Sequence, residues 1–161
     1  MAIYDKRDGV IRLFRDRAGI KPLYYYYDGT NFGFASELKG IVNMCNTVSL
    51  QIDRTAVYDY LNYIFIPAPK TYYKNVYKLL PGHRMIFDVK SKSIIKDSAY
   101  WRLNVNTKQA SERKQEDIIE ELKELIKESV SEQMIADVRV GTFLSGGVDS
   151  SIVTYEGYKI N

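Results

Sequence analysis

Thr142-Phe-Leu-Ser-Gly-Gly-Val-Asp-Ser-Ser151, TFLSGGVDSS, decides how this chain is read. It completes an almost continuous apolar run, Val138 to Leu144, of the kind expected for a strand buried on both faces of a parallel sheet. Apolar residues resume at Ile152-Val153, so the layout is strand, loop, helix. Paired Gly146 and Gly147 let backbone N–H groups turn inward with no Cβ in the way, and the following helix offers its positive end to phosphate. Ser145 and Ser150 add hydroxyl donors, and Asp149 is placed to hold Mg²⁺ directly or through water. The loop has no Gly-Lys-Ser/Thr and no G-x-G-x-x-G, which disfavours transfer of a γ-phosphate and dinucleotide binding. A bare Ser-Gly-Gly is an ordinary turn in most proteins; the apolar run before it and the Asp-Ser and helical restart after it favour an anion site.

Upstream of the loop, a long amphipathic helix is predicted from Glu112, with Ile118, Leu122, Leu125, Ile126 and Val130 on one face. Its Glu and Lys residues form a solvated face with i,i+4 pairs. Before it, Asn104 to Ser111 is polar, and the domain boundary is placed there, giving 1–103 and 104–161. The first third reads as strands, AIYD, VIRLFRD, PLYYYYD and NFGFAS, with Asp8-Gly9 and Asp28-Gly29 as hairpin signals in an antiparallel meander. Alternate rings of Tyr24 to Tyr27 point to opposite faces of the sheet. Ser36 is a plausible cap for a short helix in SELKGIV. Asp53 caps RTAVYDYLNYIF, where Val57, Tyr58, Leu61 and Ile64 or Phe65 recur at helical spacing. IPAPKTYY is an extended crossing loop because Pro67 and Pro69 each remove a donor. RMIFDV and SIIKDSAYW form a last hairpin, with Tyr100-Trp101 as an aromatic plug.

Composition fits a globular protein: 161 residues, 45% hydrophobic and 27% charged, are enough for one domain or pieces of two. The net charge of +3 is spread without a basic block, which argues against nucleic acid as a partner. The N-terminus has neither a signal-peptide apolar run nor a membrane span, so the cytoplasm is the expected location and no membrane partner is expected. Cys45, the single cysteine, excludes an intrachain disulfide framework and reads as a half-buried thiol. His83, the single histidine, follows Pro-Gly and reads as part of a turn.

SGGVDSS resembles the pyrophosphate-binding loop of the ATP pyrophosphatases. RDRAGIKPLYYY (Arg15 to Tyr26), FASELKGI (Phe34 to Ile41), YIFIPAPKTYYKNVYKLLPGH (Tyr63 to His83) and YW (Tyr100-Trp101) resemble, in order, the glutamine-hydrolysing asparagine synthetase family. The likeness runs from about Ala2 to Val153. It implies a fold that is α+β, then α/β. Residues 1–103 correspond to the later part of an N-terminal-nucleophile glutaminase, an antiparallel sandwich. Residues 104–161 correspond to the first helix, strand and pyrophosphate loop of the synthetase domain. It also implies ATP and Mg²⁺ as cofactors, and glutamine and aspartate as substrates of a carbon–nitrogen ligase that forms β-aspartyl-AMP and releases AMP and pyrophosphate. Phe143 and Leu144 then line the nucleotide, Ser145, Gly146, Gly147 and Ser150 hold pyrophosphate, and Asp149 binds Mg²⁺.

The chain departs from that family at its start, Met1-Ala2, where the family has an N-terminal cysteine nucleophile whose α-amine takes up its proton. Cys45 has no such amine, so no catalytic residue is assigned. Arg15, Asp16, Arg17 and Glu37 belong to family motifs assigned to packing, their charges expected to pair with one another or line an interface. Few residues follow Asp149, and Gly157 disfavours a helix, so the loop's helix is expected to be one or two turns. The chain is therefore expected to be the middle of a longer enzyme, inactive alone, completed by a homo-oligomer or a complementing chain. Two alternatives are a non-catalytic remnant or interaction module, and a sugar amidotransferase or β-lactam synthetase of the same two-domain plan.

Overall fold

In the computed structural model, residues 1–45, 50–105 and 113–160 are described, and they fall into two units, Met1–Leu103 and Asn104–Asn161. The first carries β1 (Ala2–Asp5), β2 (Val10–Phe14), β3 (Tyr24–Tyr27), β4 (Phe32–Ala35), α1 (Leu38–Met44), α2 (Arg54–Tyr63), β5 (Val76–Lys78), β6 (His83–Asp88) and β7 (Ser93–Ala99). The second carries α3 (Gln115–Gln133) and α4 (Val148–Ile160).

Both hairpin signals act as turns. Gly9 takes φ +66°, and the Asp5 carboxylate accepts from the N–H groups of Arg7 and Asp8 at 3.1 and 3.3 Å. Asp28 closes the next turn, accepting from Thr30 N–H at 2.9 Å, Asn31 N–H at 2.7 Å and the Tyr26 hydroxyl at 2.7 Å. The four strands nevertheless do not form one meander. β2 leaves β1 to pair with β6, giving an antiparallel sheet in the order β1-β2-β6-β7, while β3 and β4 join β5 in a second sheet, β4-β3-β5. The cause is the Arg15–Lys21 segment, which crosses from one layer to the other. The Arg15 guanidinium donates to the carbonyls of Leu79 (2.6 Å), Gly19 (2.9 Å) and Lys21 (3.2 Å). The Asp16 carboxylate accepts from Ile20 and Lys21 N–H at 2.7 and 3.1 Å.

Strand alternation then builds two cores. Leu13 and Met85 from the first sheet meet Leu23, Leu79, Tyr25 and Phe32, and Phe32 stacks on Phe87 across the gap at 4.1 Å between ring centroids. On the far face of the second sheet, Tyr26 and Val76 pack with Ile41 and Cys45, so α1 covers that side. Helix α1 starts one residue later than expected: Glu37 occupies the cap position and no side chain caps the helix, Ser36 included. The last hairpin forms as read, with a register shift at Ile86/Phe87. Tyr100 packs edge-on to Phe14 and donates its hydroxyl to Arg15 O at 2.6 Å.

Asp53 caps α2 by accepting from Thr55 N–H at 2.9 Å. Of the residues that recur at helical spacing, Val57 is half-buried and none is fully buried. Ala56 is the buried residue of this helix, and Tyr58, Leu61, Ile64 and Phe65 are exposed. Polar ties set that orientation: Lys70 Nζ bonds Asp59 at 2.7 Å, and Lys78 Nζ donates to Ile66 O at 2.6 Å.

In the second unit, α4 is longer than its sequence suggests, running thirteen residues through Gly157. That glycine is buried, and a Cβ built there would sit 3.8 Å from Met134 Sδ and Thr142 Cγ2 and 3.9 Å from Val130 Cγ1. Packing against the end of α3 offsets its poor helix propensity. Because those distances are ordinary contacts, Gly157→Ala should fit and stabilise the unit by up to about 1 kcal/mol, read as a raised thermal midpoint. The Glu/Lys face of α3 carries its pairs at i,i+3, Glu120–Lys123 and Glu124–Lys127, on exposed side chains of small energetic worth. Glu112, where the helix was expected to start, lies outside the described residues. The stretch from Val138 to Leu144 is not a strand: it pairs with nothing among the described residues, and Phe143 is 98% exposed. A two-sided parallel strand exists only when neighbours take up its backbone groups.

The Asp28 turn carries a pH dependence. The Asn31 backbone N–H is the largest of several hydrogen-bond donors that hold its carboxyl well below the usual carboxylate range. A depressed folded value gives stability that is present above the unfolded value of about 4 and is lost as pH falls through the folded one. Asp28→Asn should therefore lower the urea midpoint at neutral pH, and the difference from the parent should vanish in strong acid.

Candidate anion-binding loop

The turn into α4 is organised by serine hydroxyls around one carbonyl. Gly146 adopts φ +81°, a left-handed conformation natural to glycine. Ser150 Oγ donates to Gly147 O at 3.0 Å and accepts from Ser145 N–H at 3.3 Å. Its single proton is thereby used, so in the 2.9 Å contact between the two hydroxyls Ser145 is the donor. Gly147 O also receives Ser151 Oγ at 2.8 Å and Ser151 N–H at 3.1 Å. With that carbonyl turned along α4, the Val148 N–H on the opposite side of the same trans peptide points away from the helix start. Among the described residues, the N–H groups of Gly146, Gly147, Val148 and Asp149 meet no acceptor. The loop therefore presents a row of free donors at the positive end of a thirteen-residue helix.

Asp149 lies in the first turn of α4, exposed, with no ion pair among the described residues. No group of three or more His, Cys, Asp or Glu that could hold a metal occurs among the described residues. One carboxylate beside a phosphate site is nonetheless a donor set that suits Mg²⁺, which keeps several waters and shares its remaining positions with ligand phosphates. Phe143 and Leu144, expected at the nucleotide, are exposed. An apolar cleft of about 420 Å³ lies between α3 and α4, lined by Leu125, Val130, Val140, Thr142 and Val153 but by none of Phe143 to Ser150. Ser151 was not singled out from sequence, although a serine in the first helical turn that bonds back to the i−4 carbonyl is a known local pattern.

The other candidate positions do not assemble into a second site. Arg15 is occupied by backbone carbonyls, Asp16 by backbone N–H groups, Glu37 by Lys39 at 2.7 Å, and Arg17 is exposed; they neither pair with one another nor form one cluster. Cys45 is 5% exposed, and burial pushes its thiol upward, the reverse of an activated nucleophile. His83 begins β6 instead of sitting in a turn, its Nδ1 2.9 Å from Asp97 Oδ1.

Two family models match the chain. One described as a glutamine amidotransferase domain covers residues 1–101, and one described as asparagine synthase covers residues 121–156. An antiparallel, mixed α/β unit of the amidotransferase class is thus followed by a short match to a ligase class. The chain is 44% identical over 152 residues to a Methanocaldococcus jannaschii protein whose name assigns it provisionally to the glutamine-hydrolysing asparagine synthetases, covering 94% of this chain and 29% of that protein. Asparagine synthetase (glutamine-hydrolysing) 1 of Bacillus subtilis is 36% identical over 151 residues, covering 94% of this chain and 23% of that protein. An amidase of Gibberella zeae is 32% identical over 150 residues, covering 86% and 20%. This chain belongs to the glutamine-hydrolysing asparagine synthetase family. It spans less than a third of the length of these relatives. No helix among the described residues is long and apolar enough to cross a membrane.

Proposed function

We propose that the chain is part of a cytoplasmic, glutamine-dependent asparagine synthetase. Residues 1–103 are the later part of its N-terminal-nucleophile glutaminase sandwich, and 104–161 the opening of its ATP-pyrophosphatase domain. The observation that carries this reading is the row of N–H groups from Gly146 to Asp149, at the start of α4, that meet no acceptor among the described residues. Those groups, with Ser145 and Ser150, hold the β- and γ-phosphates of ATP, while Phe143 and Leu144 flank the nucleotide. In this role the Ser145 and Ser150 hydroxyls rotate off one another to donate to phosphate. Asp149 would hold Mg²⁺, which would supply positive charge against the departing pyrophosphate. In the whole enzyme a carboxylate oxygen of aspartate attacks the α-phosphorus and pyrophosphate leaves. Ammonia from glutamine then attacks the acyl carbon, AMP leaves, and the ammonia nitrogen gives up a proton.

Titration of the 161-residue chain with magnesium pyrophosphate should move the Gly146, Gly147 and Val148 amide resonances saturably, and unmoved resonances would overturn the reading. The chain alone should release ammonia from glutamine only at the rate of the protein-free blank. Its one thiol is buried among Tyr26, Ile41 and Val76, without the adjacent amine that nucleophilic hydrolysis needs. A rate above the blank that Cys45→Ser abolishes would refute this. A second reading, an interaction module, is supported by the exposed apolar residues of α2 and by Phe143.

A further inference from the structure

The segment that enters the anion loop is held by side chains in place of a backbone ladder. From Val138 to Leu144 no backbone group bonds another among the described residues, and Phe143 and Leu144 are exposed. A hydroxyl pair ties this limb to α4: Thr142 Oγ1 and Thr154 Oγ1 lie 3.0 Å apart. Thr154 follows Ser150 at i+4, so the two share one side of the helix, and Thr142 precedes Ser145 on the entering limb. The pair is thus an outer rung beside an inner one, the bond from Ser145 N–H to Ser150 Oγ at 3.3 Å. The methyl of Thr142 acts separately from its hydroxyl. Its Cγ2 is 3.8 Å from where a Cβ on Gly157 would sit, and with Val140 the residue lines the apolar cleft against Val130 and Val153.

We infer, resting on the reading of this loop as a pyrophosphate site, that Thr142 and Thr154 are positioning residues for it. Their hydroxyls fix the entering limb on α4 and so set where Ser145 and the Gly146 and Gly147 N–H groups point. Neither threonine belongs to the row of donors; both act through the limb. Only Phe143 and Leu144 separate Thr142 from Ser145, so the limb has little slack while the outer rung holds. The inner rung is long for a hydrogen bond and weak, and a limb released at Thr142 breaks it readily. The free loop then spends part of its time with Ser145 off Ser150, and affinity for an anion falls by the fraction of time spent in the competent arrangement. Thr142 is exposed, so water competes for the bond, and its loss should weaken binding about fivefold.

The test titrates magnesium pyrophosphate into the 161-residue chain and its variants, reading affinity from the Gly146 and Gly147 amide resonances and stability from thermal unfolding. Thr142→Val keeps a methyl in the cleft and removes the hydroxyl. It should weaken binding about fivefold and displace the Gly146 and Gly147 resonances of the free protein, with no fall in the thermal midpoint. Thr142→Ser keeps the hydroxyl and removes the methyl. It should bind as the parent does while its midpoint falls. Thr154→Val should match Thr142→Val, and the double valine variant should bind no more weakly than either single one, because each removes the same bond. A role in folding alone gives another pattern, with affinity following the midpoint through every variant. Parental affinity in Thr142→Val, a loss in Thr142→Ser equal to that in Thr142→Val, or additive losses in the double variant overturns the inference and leaves the pyrophosphate reading intact. Resonances that pyrophosphate does not move in the parent overturn both.

Discussion

Gly82→Ala is expected to destabilise the Met1–Leu103 unit by at least about 2 kcal/mol, read as a lower urea midpoint at unchanged slope. Gly82 has φ +64°, where an L side chain carries a steric cost of about 1–2 kcal/mol. A Cβ there would also lie 2.6 Å from the Trp101 carbonyl oxygen, a backbone atom that cannot simply rotate away. That carbonyl is held in place because Tyr100 and Trp101 N–H both donate to Gly82 O, at 2.8 and 3.2 Å, while Gly82 N–H donates to Asp16 O at 2.9 Å. Moving Trp101 therefore disturbs three bonds that join the turn before β6, the end of β7 and the Arg15–Lys21 segment. Gly9 supplies the control, since its φ of +66° is nearly the same but a Cβ there would meet nothing within 4 Å. Gly9→Ala should cost only the conformational part, about 1 kcal/mol. Equal costs at the two positions would show that the close approach to Trp101 contributes nothing.

Gly146→Ala should lower the affinity of the loop for magnesium pyrophosphate at least about tenfold, a change of about 1.4 kcal/mol. No atom lies within 4 Å of the added Cβ, so the effect is conformational: φ +81° is unfavourable for alanine. The exposed loop relieves that strain by turning the peptide, and the Gly146 and Gly147 N–H groups turn with it. Folding of the unit should scarcely change, because nothing is packed on Gly146. Gly141→Ala, also in open space but without a positive φ, should bind as the parent does. The two variants together separate donor geometry from the general effect of a side chain on this segment.

The sequence was most legible where one residue fixes a local geometry. Asp8-Gly9 and Asp28-Gly29 marked both hairpin turns, and Asp53 marked the start of α2. These are short-range effects, settled by φ preferences and by side chains within three residues. Sheet membership was illegible, because the partner of β2 is chosen by Arg15 reaching Leu79 and by β6, far along the chain. The short β5 was missed because Val76–Lys78 follows a proline-broken stretch and pairs only through β3. The apolar period of α2 says which residues share a side but not which way that side faces, and the structure leaves Tyr58 and Leu61 exposed. The run from Val138 to Leu144 has the composition of a strand, but composition does not supply a neighbour. At the loop, glycine and serine placement was visible in the sequence. The engagement of Ser150 and Ser151 with one carbonyl was not, because it depends on the rotamers of adjacent hydroxyls.

The pairing of β2 with β6 bears on how the unit forms during synthesis. Val10 finds Asp88 as its partner, so the centre of the first sheet is joined only after most of the unit has left the ribosome. Until then the β1–β2 ribbon waits with its inner edge open, a template for misregistered pairing. Slower elongation through Lys90–Ser93, or a chaperone holding the ribbon, should raise the yield of native protein, whereas the α3–α4 pair, close in sequence, should gain little from either.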